Sequence, residues 1–184
     1  MATKIADITN NFPKNYNLYF DGKTVVNEQN IDKQEYDIFL RIMSDPISRI
    51  ASGKKKFELR KYVPKHTGLV FLYETDKVQA ISGCLYFKNY IVKPINELWD
   101  IVGECATSKE KFYSYFDGKK FGVALEIIDF QKIEPPIKNK ELYKLFPNFP
   151  KSPQPYVYLY SDKNNEFSKF LRAKVTDIIL RNNL

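Results

Sequence analysis

The stretch GKKKFELRKY, residues 53–62, decides the reading of this chain. A glycine opens it and three lysines follow. Then Phe57, Glu58, Leu59 and Arg60 alternate apolar and charged, the period-two pattern of a half-buried strand. Phe57 and Leu59 point one way, Glu58 and Arg60 the other. One carboxylate therefore stands among cations. Either this is a solvated edge strand, or it is the floor of a site for an anionic ligand.

Working backwards, SDPISRIAS precedes Gly53. Ser44 is placed to cap a helix whose first turn holds Asp45 and Pro46, with Ile47, Ile50 and Ala51 as its apolar face. Gly53 then ends that helix in a left-handed conformation. Before it, YDIFLRIM (36–43) reads as a strand. Residues 1–36 are polar, with one hairpin signal at Asp21-Gly22 inside NLYFDGKTVV.

Working forwards, TGLVFLYET (67–75) and KVQAISGCLYFKNYIV (77–92) read as strands, the second with Gly83 at a bulge or corner. Residues 94–104 form a helix with Ile95, Leu98 and Ile101 on one face. Residues 107–119 form another, opened by a capping-box pattern of Thr107 with Glu110. FGVALEIIDFQKI (121–133) and YVYLY (156–160) are strands. They flank a proline-rich connector with one helical turn at Glu141–Phe146. The closing helix carries Phe167, Phe170, Leu171, Val175, Ile178 and Ile179 on one stripe.

The 184 residues suit one ordinary domain that needs no disulfide staple. Net charge is +7. Residues 49–66 hold Arg49, Lys54, Lys55, Lys56, Arg60, Lys61 and Lys65 against Glu58 alone, a local patch suited to phosphate. The chain carries two cysteines and one histidine, too few ligands for a zinc site. Cys84 and Cys105 read as buried thiols, and His66 as an exposed loop residue. No apolar run is long enough to cross a membrane and no secretory leader is visible. The expected setting is the reducing cytoplasm, with no cofactor and no membrane partner.

The pattern Gly53-x-Lys55-x-x-Glu58-x-Arg60 resembles the signature of the ASCH family, a branch of the PUA-like superfamily. The order of the other segments is similar from about 37 to 160, including ELWDIVGE with Trp99, the helix with Tyr115, and the Pro-Gln turn at Gln154. The resemblance implies an α+β fold: a small, partly open β-barrel with helices at its mouth and a cleft beside the motif. Residues 1–36 are an N-terminal extension, 37–160 the domain, and 161–184 a helix packed on it.

The resemblance also implies binding of RNA, other single-stranded nucleic acid or a modified nucleoside, with roles around translation or transcription. On this reading Lys55, Glu58 and Arg60 line the cleft, and Lys54, Lys56, Lys61 and Lys65 meet backbone phosphates. Tyr115 stacks on a base, Gln154 reads a base edge, Trp99 belongs to the core and Gly53 is structural. Some family members are amidohydrolases with a threonine where Glu58 stands here. Glutamate does not replace an activated hydroxyl, so that chemistry does not carry over. Two alternatives stay open: a hydrolase using Lys55 and Glu58 as an acid–base pair, and a protein-interaction module.

Overall fold

The computed structural model describes residues 3–4, 18–20, 25–27, 36–62, 67–148, 156–159 and 162–182. They contain nine strands and five helices, an α+β fold as expected. β1 (Thr3–Lys4), β2 (Leu18–Phe20) and β3 (Val25–Asn27) form a small antiparallel sheet. β2 and β3 pair as the hairpin signal predicted, while the Asp21-Gly22 turn lies outside the described residues.

The main sheet has six strands: β4 (Tyr36–Ile42), β5 (Phe57–Arg60), β6 (Thr67–Glu74), β7 (Ala80–Pro94), β8 (Phe121–Lys138) and β9 (Tyr156–Leu159). Their order is β5-β8-β7-β6-β4-β9, with β4 parallel to β6 and antiparallel to β9. β5 and β9 end the order, so among the described residues the sheet is open. The helices are α1 (Ser44–Ala51), α2 (Ile95–Ala106), α3 (Lys109–Tyr115), α4 (Asn139–Leu145) and α5 (Asp162–Asn182). No helix among the described residues is long and apolar enough to cross a membrane.

The compact units do not follow chain order. One comprises Met1–Gln34, Lys54–Lys65 and Phe87–Ile128; the other comprises Glu35–Gly53, His66–Tyr86 and Asp129–Leu184. Each has its own core. In the first, Leu59 and Ala124 pack with Leu98, Val102 and Ala106 of α2 and with Phe112 and Phe116. In the second, Phe39, Phe71, Ile81 and Ile133 pack with Phe167, Leu171 and Val175 of α5.

Gly83 answers to its sequence signal. The β6–β7 register slips between Leu72 and Tyr73, leaving Ser82 as the extra residue beside Gly83. A Cβ at Gly83 would come within 2.7 Å of the Phe130 ring, so the glycine admits that ring to the sheet. Gly53 has φ +72° and its N–H bonds Ile50 O, ending α1 as expected.

Five local expectations are corrected. Ser44 does not cap α1 with its own side chain. Its backbone N–H and its hydroxyl both go to Asp76 Oδ1, at 2.8 and 2.6 Å, and the hydroxyl also contacts Glu74. Asp76 thus caps the helix from the β6–β7 turn. Its carboxyl lies below the usual range, chiefly because the Ser44 hydroxyl stabilises the anion. Ala51 is exposed, leaving Ile47 and Ile50 as the buried face of α1. Ser108 rather than Thr107 caps α3, accepting from Lys111 N. On α2, Ile101 is exposed while Val102 and Ala106 are buried, so the apolar stripe runs one residue off the predicted one. Cys105 is exposed too, whereas Cys84 is buried and its thiol is pushed up to about 11 by desolvation.

Candidate functional site

All described residues of the motif after Gly53 lie in the first unit. Two backbone bonds fix them. Lys56 N donates to Cys105 O at 2.8 Å, and Ile127 N donates to Lys56 O at 2.9 Å. The segment is thereby tied to the end of α2 and to β8. From Phe57 onward it pairs antiparallel with β8, setting Leu59 against Ala124 and Arg60 against Val123.

Lys55 is not a solvated lysine. It is 7% exposed, and its ammonium lies 3.2 Å from Glu58 Oε2 and 3.2 Å from the carbonyl of Ala106, the last residue of α2. That helix has no basic residue in its last turn. Lys55 places a cation where the helix presents unsatisfied carbonyls and partial negative charge.

Glu58 has its second oxygen, Oε1, 2.9 Å from Arg60 Nη1. Both oxygens of one largely buried carboxylate therefore face cations. Burial alone would raise its pKa. The charges of Lys55 and Arg60, with the hydrogen bond from Lys55, outweigh burial and hold it below the usual carboxylate range. The trio carries one positive charge in excess.

Arg60 continues the chain of contacts. It donates to Leu59 O and bonds the phenol of Tyr115 at the end of α3. Partial burial pushes the Tyr115 hydroxyl upward in pKa, against the lowering effect of Arg60. The Tyr115 ring is 37% exposed and has the Lys61 ammonium 5.1 Å from its centre. Tyr62, 44% exposed, repeats this geometry with Lys119, 5.0 Å from the ring centre and 3.1 Å from its hydroxyl.

The structure brings Lys55, Glu58, Arg60, Lys61 and Tyr115 together. Lys54 and Lys56 have exposed side chains. Trp99 packs edge-on against Phe112, with ring centres 5.2 Å apart, in the core position expected of it. Lys65, His66 and Gln154 lie outside the described residues. The sequence reading passed over Tyr62 and Lys119. The signal was available: Tyr62 follows the motif by two residues, and Lys119 follows the Asp117-Gly118 turn. Among the described residues no group of His, Cys, Asp or Glu is arranged to hold a metal ion.

No family model matches the chain. A curated protein of Zymomonas mobilis, named an ASCH domain-containing ribonuclease, is 28% identical over 120 residues, spanning 64% of this chain and 80% of that one. The crystal structure of ASCH from Zymomonas mobilis superposes with a TM-score of 0.63 at 25% identity, over 72% of this chain and 94% of that one. A point variant of the same protein, serine to alanine, gives the same TM-score over 73% and 95%. Strand order, helices and these likenesses agree with the resemblance to the ASCH family carried by the motif and the segment order.

Proposed function

We propose that the protein binds single-stranded RNA through Arg60, Tyr115, Lys61, Tyr62 and Lys119. One observation carries this: two exposed tyrosine rings, each with a lysine ammonium over its face, one of them bonded to Arg60. An exposed phenol gives any base a stacking surface. The lysines and Arg60 are within reach of the phosphates beside a stacked base, and Arg60 can exchange a Glu58 oxygen for a phosphate oxygen. Lys55 and Glu58 then act as a positioning pair, since Lys55 keeps its hold on Ala106. The relative named a ribonuclease supports RNA as the ligand. The free thiols of Cys84 and Cys105 accord with a reducing cytoplasm.

That relative also supports a second reading, RNA cleavage. Glu58 would take the proton of a ribose 2′-hydroxyl as its oxygen attacks the neighbouring phosphorus. Arg60 would stabilise the added negative charge, and the 5′-oxygen would leave with a proton from Lys55, giving a cyclic phosphate. The lowered pKa of Glu58 makes it a weak base, so binding is the leading reading.

Fluorescence anisotropy with a short labelled RNA tests the first reading. With three or four phosphates engaged, log K should fall with log salt at a slope of roughly −2 to −3. Arg60→Ala should weaken binding roughly tenfold, the loss of one charge-assisted hydrogen bond. Affinity indifferent to both salt and Arg60→Ala would overturn it. The same RNA run on a gel separates the second reading: products that vanish in Glu58→Gln while binding survives would make the pair catalytic.

A further inference from the structure

The second unit holds a cavity of about 280 Å³ that neither the motif nor the proposed RNA face uses. It lies between sheet residues and α5, a helix beyond the 37–160 stretch that carries the family resemblance. Its volume is at the lower end of small-molecule pockets, roughly 300–1,000 Å³. Leu69, Cys84 and Val175 are buried and give it an apolar floor. Tyr86, Asp129, Gln131 and Thr176 are exposed and form its rim.

The balance of charge decides what this lining attracts. Arg172 lines the cavity, but it is already committed. Its Nε lies 2.7 Å from Asp37 Oδ2 and its Nη2 bonds Asp37 Oδ1, so a buried carboxylate cancels its charge. Cys84 adds no charge, because burial pushes its thiol up to about 11. Asp129 is different: its carboxylate makes no ion pair among the described residues. The cavity therefore presents one uncompensated negative charge, on a chain whose net charge is +7. Asp129 also has φ +51°, a left-handed conformation within β8. Such geometry is uncommon outside glycine and concentrates where the backbone aims a functional group.

Tyr86 supplies a second feature that a cation recognises. Its ring is exposed, and among the described residues no ammonium covers it, in contrast to Tyr62 and Tyr115. The face of such a ring attracts cations. The Gln131 carboxamide and the Thr176 hydroxyl carry oxygens that accept from N–H groups.

The kind of cation follows by comparison. A divalent metal ion takes several oxygen ligands, and one carboxylate is too few. A polyamine carries more charge than one carboxylate balances. An amino acid brings its own carboxylate, which meets Asp129 and finds Arg172 already neutralised. A compact monocation with N–H donors and a hydrocarbon body suits rim and floor together. We propose that this cavity binds a small primary amine of single positive charge, its ammonium held by Asp129 and the Tyr86 ring and its hydrocarbon part against Leu69, Cys84 and Val175.

Isoamylamine and phenethylamine are the probes, titrated into the full chain and followed by NMR and calorimetry. Neither carries a phosphate or a base, so the result is independent of the RNA face. At least one should bind saturably with a Kd that is roughly millimolar or tighter. The shifted amides should centre on Asp129, Gln131, Val175 and Thr176. Isoamyl alcohol and isovalerate keep the hydrocarbon and change the head group; both should bind roughly tenfold or more weakly. Asp129→Asn keeps the size and the tolerance of positive φ while removing the charge. It should weaken amine binding roughly tenfold and leave the thermal midpoint unchanged. Tyr86→Leu should weaken it about threefold, and Tyr86→Phe should not. No saturable binding of either amine, equal binding of the alcohol or the acid, or amide shifts spread over acidic residues elsewhere would overturn the proposal. So would unchanged binding in Asp129→Asn or in Tyr86→Leu.

Discussion

Asp37 in the second unit and Glu58 in the first are both largely withdrawn from water, and the two are satisfied in opposite ways. In the second unit Asp37 is 3% exposed and receives Arg172 through two nitrogens, one of them Nε at 2.7 Å. It also accepts from the Ser168 hydroxyl and, at 3.0 Å, from Leu69 N. Neutral donors and a single cation share the anion, and the group as a whole has no charge. In the first unit Glu58 is held by two cations, with an excess positive charge left on Lys55 and Arg60. The first arrangement locks α5 to β4 and β6. The second leaves charge for an anion. A buried ion pair is weak evidence for either role by itself; the number and kind of donors separates them.

The largest effect should come from Asp37→Ala. Removing one member of a buried pair strands the others, at a cost of roughly 3–5 kcal/mol. Arg172 is about half-exposed and can turn to water, so about 3 kcal/mol is expected in a urea melt. RNA affinity measured on the folded fraction should not change. A loss of affinity with unchanged stability would reverse the contrast drawn between the two carboxylates.

Glu58→Gln comes next. Lys55 keeps its carbonyl partner at Ala106, so the loss should be smaller, about 2 kcal/mol. It should also depend on pH. The folded-state pKa of Glu58 lies below its unfolded value. Its contribution is therefore complete above the unfolded carboxylate pKa of about 4.3, and is lost as pH falls through the folded value. The stability gap between wild type and Glu58→Gln should be constant from neutral pH to about pH 5 and narrow below about pH 4. A gap that stayed constant into strong acid would mean the pair contributes nothing through its charge.

What could be read from the sequence follows the distance of the partners. The alternation of Phe57, Glu58, Leu59 and Arg60 and the positive φ of Gly53 depend on neighbours a few residues away, and both were legible. The burial of Lys55 was not, because it depends on a carbonyl 51 residues along the chain. Ser44 misled for the same reason: its partners sit 30 and 32 residues away, in a turn no local rule connects to it. Asp37 did leave a signal. A lone aspartate in the apolar run YDIFLRIM must find donors, and Arg172 and Ser168 lie off the apolar stripe of the last helix. Choosing Arg172 among 29 Lys and Arg needs the fold.

Gly53→Ala separates backbone from contact. Nothing lies within 4 Å of a Cβ built there, so the change costs only left-handed strain, about 1–2 kcal/mol. The strap from Lys56 to Cys105 and Ile127 starts three residues later and holds Lys55 independently of that turn. Stability should fall while RNA affinity per folded molecule stays within about twofold. A larger fall in affinity would mean that Gly53 aims the motif as well as ending α1.

The smallest effect on stability should come from Lys119→Ala, and it gives the sharpest test of the first unit's role. Among the described residues its ammonium contacts an exposed phenol, at the ring face and the hydroxyl. Exposed pairs of this kind contribute about 0.5–1 kcal/mol at most. The melting curve should barely move. RNA binding should weaken severalfold at low salt, and the salt slope should become shallower by about 0.7, the loss of one neutralised phosphate on a single strand. Asp37→Ala would change folding and spare affinity; Lys119→Ala would change affinity and spare folding. If Lys119→Ala instead left both the affinity and the salt slope unchanged, the lysine over Tyr62 would be a surface ornament, and the RNA face would shrink to Arg60, Lys61 and Tyr115.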